Sequence, residues 1–135
     1  MLLGMNPDSF DVWNQQKKAI DARPPVVVFA QPRDVWFCSL GRNVDVEMNG
    51  GGEKFSRPVL VIKPFNRRMV WVIPLTTKPK AHDFHYRFTD PFGNEVAANV
   101  AQLRLISTKR LERRIYKLND AEFERVRAIA RGWLS

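Results

Sequence analysis

The chain has 135 residues, 44% hydrophobic and 27% charged, which sizes it for one packed core under an ordinary soluble surface. Its 22 Lys and Arg against 14 Asp and Glu leave a formal charge of +8, an excess that points to a polyanionic partner, nucleic acid ahead of acidic membrane. No apolar run approaches the roughly 20 residues needed to span a bilayer. The opening Met1-Leu2-Leu3-Gly4-Met5 is too short for a signal peptide's apolar region, so the expected location is cytoplasmic.

In chain order, the first predicted element is a helix over residues 6–22. Asn6 is placed to cap it, Pro7 is tolerated in its first turn, and Phe10, Trp13, Lys17 and Ile20 follow helical spacing. Arg23-Pro24-Pro25 ends it, because the residue before a proline is pushed out of helical geometry. Val35 to Leu40, Pro58 to Ile62 and Met69 to Ile73 are short runs rich in β-branched and aromatic residues, the pattern of buried strands. Cys38, the only cysteine, falls inside the first run and reads as a small buried apolar side chain; alone it excludes an internal disulfide and a cysteine-based zinc cluster. Between the first two runs, Asn43 to Ser56 forms a long connection containing Asn49-Gly50-Gly51-Gly52, and a loop of that length tends to be functional or disordered.

Weaker strand candidates follow at Phe84 to Phe88, Glu95 to Val100, Leu103 to Ser107 and Glu112 to Lys117, with Asp90-Pro91-Phe92-Gly93-Asn94 as a turn between two of them. A last helix covers 119–134. Asn119 and Glu122 have the form of a capping box, and Phe123, Val126, Ala130 and Trp133 make one apolar face. Trp36 and Trp71 are expected in the core because of their strand positions. The expected fold is mainly β: a small twisted barrel of five or six strands over 32–118 with helical ends, the whole of 1–135 forming a single domain.

Two motifs could carry chemistry. Pro58 biases Arg57 toward extended backbone, which projects a permanently charged fork from a strand edge where the glycine-rich loop ends; such a fork suits a phosphate diester, or a surface carboxylate such as Glu53. Pro74-Leu75-Thr76-Thr77 ends a strongly apolar strand with two hydroxyls, and Lys78 and Lys80 follow at once, so a cradle for phosphate oxygens is one reading and plain strand propensity another. His82 and His85 could act as base and acid. However, a spacing of three puts them on opposite faces of a strand, and only Asp83 is at hand as a further metal ligand, so they read as loop and surface residues. Lys63, Arg67, Arg68, Arg104, Lys109, Arg110, Arg113 and Arg114 are interleaved with Phe65, Trp36 and Trp71, the mixture used by single-stranded nucleic-acid grooves.

Asp34 to Gly41, Glu47 before a glycine-rich stretch, Arg57-Pro58-Val59-Leu60-Val61, Pro74-Leu75-Thr76-Thr77, Gln102 to Ser107 and Lys109-Arg110-Leu111, in that order and spacing, resemble the PemK/MazF family of toxins from type II toxin–antitoxin pairs. The resemblance implies an SH3-like, CcdB/PemK-type barrel, usually a homodimer, with a cognate antitoxin protein as partner. It implies sequence-specific, metal-independent cleavage of single-stranded RNA without a cofactor, leaving a 2′,3′-cyclic phosphate and a 5′-hydroxyl. By the same resemblance Arg57 and Thr76 match catalytic positions and Glu47 a loop carboxylate considered as general base. Thr77, Lys78, Lys80, Gln102, Arg104 and Phe65 would contact RNA. Three departures stand out: the N-terminal helix lies outside the family pattern, Met48 replaces the usual glutamine, and the glycine loop is long. Two rival readings remain. A gyrase poison of the CcdB type would share the barrel, although this chain ends Gly132-Trp133-Leu134-Ser135 where that group ends on a Trp-Gly-Ile segment; a basic barrel that binds RNA without cutting it would keep only the charge.

Overall fold

The computed structural model describes residues 8–24, 29–43, 48–51, 56–78 and 84–135. Helix α1 (Ser9–Asp21) comes first, followed by strands β1 (Asp34–Ser39), β2 (Ser56–Pro64), β3 (Met69–Thr76), β4 (His85–Thr89), β5 (Glu95–Asn99), β6 (Arg104–Ser107) and β7 (Leu111–Lys117), and the chain closes on α2 (Asp120–Leu134). Single 3₁₀ turns at Val100–Gln102 and Thr108–Arg110 flank β6. Among the described residues the strands are seven rather than five or six. All pairings are antiparallel, in the order β4-β5-β3-β2-β1-β7, with β6 also on β3.

β3 changes partners along its length. Met69 to Val72 pair with β6, whereas Leu75 and Thr76 pair with β5. Where β6 lies alongside, only one face of β3 is covered: Val70 and Val72 are buried and Met69 and Trp71 point outward. Farther along, Ile73, Pro74 and Leu75 are all buried because both faces are covered. Trp71 is therefore not a core residue. It is 36% exposed and meets Phe65 edge-on at 4.9 Å. Trp36 is half-buried, because irregularities between Val35 and Trp36 and between Phe37 and Cys38 break the alternation of β1 against β7.

Two apolar clusters share the sheet. Leu60, Ile73, Leu75, Phe88 and Val96 pack under Phe123 and Val126 of α2. On the other side Val59, Val61, Val70, Val72 and Ile106 enclose Cys38 and Leu40. Cys38 is buried as expected, and its burial pushes the thiol from an ordinary 9.0 to about 12.

The helix ends depart from expectation in detail. Asp8 caps α1 by accepting from the Phe10 amide (2.7 Å), while Asn6, Pro7 and Pro25 lie outside the described residues. Trp13 and Ile20 are buried, whereas Phe10 and Lys17 are exposed. Asn119 caps α2 by accepting from the Glu122 amide (2.9 Å). Glu122 does not reach back to complete the box. Its carboxylate accepts instead from the Tyr86 hydroxyl on β4 and lies 3.5 Å from Arg125, pinning α2 to the sheet. Trp133, seven residues after Val126 on the same side of α2, is 50% exposed and so is not packed into the core as Phe123 and Val126 are.

Candidate functional site

β2 runs between β1 and β3, with Arg57 opposite Cys38 and Pro58 opposite Phe37. Pro58 carries no amide hydrogen and holds Arg57 extended, so the Arg57 side chain leaves the sheet at its edge. There its guanidinium is tied down twice. Nε donates to the Asn49 carbonyl (2.6 Å) and Nη1 to the Leu75 carbonyl (3.1 Å). Leu75 directly precedes Thr76 at the end of β3, so one hydrogen bond anchors the charged fork to the residue before the hydroxyl. Arg57 is half-buried and, among the described residues, has no carboxylate within ion-pair distance; Glu53 lies outside them. Burial alone lowers its pKa from the ordinary value.

Arg57, Thr76 and Thr77 line one cleft of about 460 Å³. Thr76 Oγ1 accepts from the Lys78 amide (3.1 Å), which fixes the oxygen and leaves its hydrogen to donate into the cleft. Lys78 follows at the rim and is exposed. The cleft is also lined by Phe37, Ile115 and Tyr116 together with Asp90, Phe92 and Asn94. Phe92, 66% exposed, meets Tyr116 edge-on at 6.1 Å, and Arg113 lies 4.6 Å over the Phe37 ring. Burial and the nearby Asp90 push the Tyr116 phenol well above its ordinary pKa, so it stays protonated.

Other expected site residues lie elsewhere. Phe65 follows the far end of β2 from Arg57, with Lys63 Nζ 5.5 Å over its ring. Arg104 stands on β6 opposite Val72. Gln102 does not line the cleft; its Oε1 accepts from the Met48 amide (3.3 Å) and so holds the loop. Met48 packs partly buried against the second cluster, its sulfur accepting from Asn99 Nδ2 (3.2 Å). His85 lies on β4 edge-on to Phe84 (4.9 Å). Glu47, Lys80, His82 and Asp83 lie outside the described residues. The Asp90–Asn94 wall was missed in the sequence, where it reads only as a turn. The one signal is a large aromatic, Phe92, at the tip of an otherwise polar turn.

A family model of PemK-like, MazF-like toxins of type II toxin–antitoxin systems matches residues 31–134. The chain belongs to that family. Among solved structures, MazF (Form-I) from Deinococcus radiodurans is 18% identical with a TM-score of 0.66, over 78% of this chain and 96% of that one. The Mycobacterium tuberculosis toxin MazF-mt6 is 19% identical with a TM-score of 0.56, over 74% and 93%. An endoribonuclease in complex with its cognate antitoxin, from a mycobacterial species, is 15% identical with a TM-score of 0.59, over 78% and 94%. A MazE-MazF complex from D. radiodurans (Form-II) is also similar, at 16% identity and a TM-score of 0.61, over 80% and 98%. At these identities the likeness is one of fold. No curated protein sequence matches significantly. This MazF-like chain thus has the mainly β fold of its neighbours, flanked by two helices, and among the described residues no helix is long and apolar enough to cross a membrane.

Proposed function

We propose that this MazF-like toxin is a metal-independent endoribonuclease that cuts single-stranded RNA in the Arg57–Thr76 cleft. The observation that supports the reading is the bond from Arg57 Nη1 to the Leu75 carbonyl, which anchors the guanidinium at the residue before Thr76, in a cleft that both residues line. In the reaction the ribose 2′-oxygen attacks phosphorus while its proton passes to a base. The bond from phosphorus to the 5′-oxygen breaks, and that oxygen takes up a proton. A 2′,3′-cyclic phosphate and a 5′-hydroxyl remain. Arg57 stabilises the extra negative charge of the pentacovalent phosphorane, and Thr76 donates to a non-bridging oxygen. Thr77 and Lys78 hold the adjoining backbone, and Phe92 offers a ring on which a base stacks. Glu47 and Lys80 keep the base and RNA-contact roles that family resemblance implies for them. The MazE-MazF and endoribonuclease–antitoxin neighbours support a cognate antitoxin as partner, and homodimer formation is carried over from the family.

The test is incubation of purified protein with a long unstructured RNA in EDTA, beside Arg57→Ala and Thr76→Ala. Wild-type cleavage that leaves cyclic-phosphate ends, lowered about a hundredfold or more in each variant, is expected. Intact RNA held in a salt-sensitive complex would replace the nuclease with a binding barrel. A second reading draws on the exposed Trp133 and Leu134, which leave the C-terminus open to a protein target as in a gyrase poison. Intact RNA together with inhibited gyrase would favour it.

A further inference from the structure

Helix α1 precedes the family-matched residues 31–134, yet a chain of contacts leads from it to Arg57. Trp13, at the middle of α1, is buried against Gly41, just after β1. An added Cβ at Gly41 would sit 2.1 Å from Trp13 Cε2, and the residue adopts φ +89°, so only glycine lets the indole approach this closely. Arg110 lies 5.6 Å from the same indole ring and donates to the carbonyls of Ser39 (3.3 Å) and Leu40 (3.5 Å). The next residue, Arg42, donates from Nε to Ser9 Oγ (3.1 Å) and lies 4.7 Å over the Phe10 ring. Residues 39–42 are thus gripped one after another by α1 or by the arginine stacked on it.

From this gripped segment the restraint passes to the returning leg of the loop. The Gly50 amide donates to the Gly41 carbonyl (2.8 Å). Asn43 links the two legs again, its amide donating to Asn49 Oδ1 (2.5 Å) and its Nδ2 to the Met48 carbonyl (2.8 Å). The carbonyl of that same Asn49 accepts from Arg57 Nε. A loop between two strands is ordinarily the mobile part of a small barrel, whereas a transition-state donor works only when held to a fraction of an ångström.

We propose that α1 is a brace for the Arg57 loop, and that Trp13 is a positioning residue which, through Gly41 and Gly50, presents the Asn49 carbonyl to Arg57. The proposal rests on the reading of Arg57 as catalytic, but its contacts can be tested without RNA. In ¹⁵N-labelled protein the Arg57 Nε hydrogen is expected to exchange slowly with solvent. Trp13→Ala should speed that exchange about tenfold or more, and Arg42→Ala severalfold, while the backbone amides of Val59 and Val72 keep their protection. Trp13→Phe, which restores a flat ring, should recover most of it. On RNA, Trp13→Ala should lower kcat about tenfold and leave KM nearly unchanged, since the binding surface stays and only the alignment goes. If Trp13→Ala fails to fold, Arg42→Ala decides. An Arg57 Nε that stays as protected as in the wild type in a folded variant overturns the brace. Lost protection in a protein whose wild type does not cut RNA upholds the brace and removes the nuclease.

Discussion

A guanidinium that gives Nε and one Nη1 hydrogen to backbone carbonyls still has three N–H groups for a ligand. Arg57 is such a group, and a lysine in its place would carry the charge without the fork. It could not satisfy Asn49 and Leu75 and still face a phosphate. Arg57→Lys is therefore expected to lose about a hundredfold in single-turnover cleavage, nearly as much as Arg57→Ala. Activity within threefold of wild type would show that charge alone suffices. Arg57 and Thr76 were singled out by the resemblance to the family; the proline after one and the strand end at the other fix only their local geometry. Tyr116 and Phe92 were not, since each enters the cleft only through strand pairings and turns far apart in the chain. Trp71 misled for a related reason. Its alternation with Val70 and Val72 was visible, but which set faces inward depends on β6 covering one side only.

Among elements, the strands were readable from β-branched and aromatic runs, and their existence held even where ends moved by up to three residues. What the pattern hid was how β1 is anchored. Asp34, fully buried, accepts from the Gln31 amide (3.0 Å) and from Trp36 Nε1 (3.4 Å), with Lys117 Nζ at 3.6 Å and Arg114 Nη1 at 3.9 Å. Beside it Arg33, at φ +79°, donates its amide to Val61, donates Nε to Leu118 and meets Asp120 at 3.1 Å. These two charged residues join β1, β2, β7 and the start of α2, a role no hydropathy pattern reveals. Asp34→Ala leaves the Gln31 amide and the Trp36 indole without their acceptor, so it should cost about 3 kcal/mol and lower the thermal midpoint by about 10 °C. Calorimetry reads the outcome, and a midpoint within 2 °C of wild type would mean that the buried carboxylate is not an anchor. Glu122 taught a similar lesson: a capping-box residue was claimed by Tyr86, a partner 36 positions away.

Over the whole molecule, the motif order predicted the fold, while the division of labour between α1 and the barrel emerged only in three dimensions. The lone thiol offers a way to watch that assembly. Cys38 sits wholly inside, between β2 and β7, and is protonated far beyond neutrality. A disulfide reagent should leave the intact toxin unmodified at neutral pH and label it only when β1 detaches, at a rate that tracks opening of the barrel. The same burial makes alkali a denaturant: the unfolded chain sheds this proton near pH 9 while the folded one retains it, so stability is complete below 9 and declines as pH climbs toward about 12. One sulfur atom thereby serves as a clock for unfolding, needing no probe to be engineered into the chain.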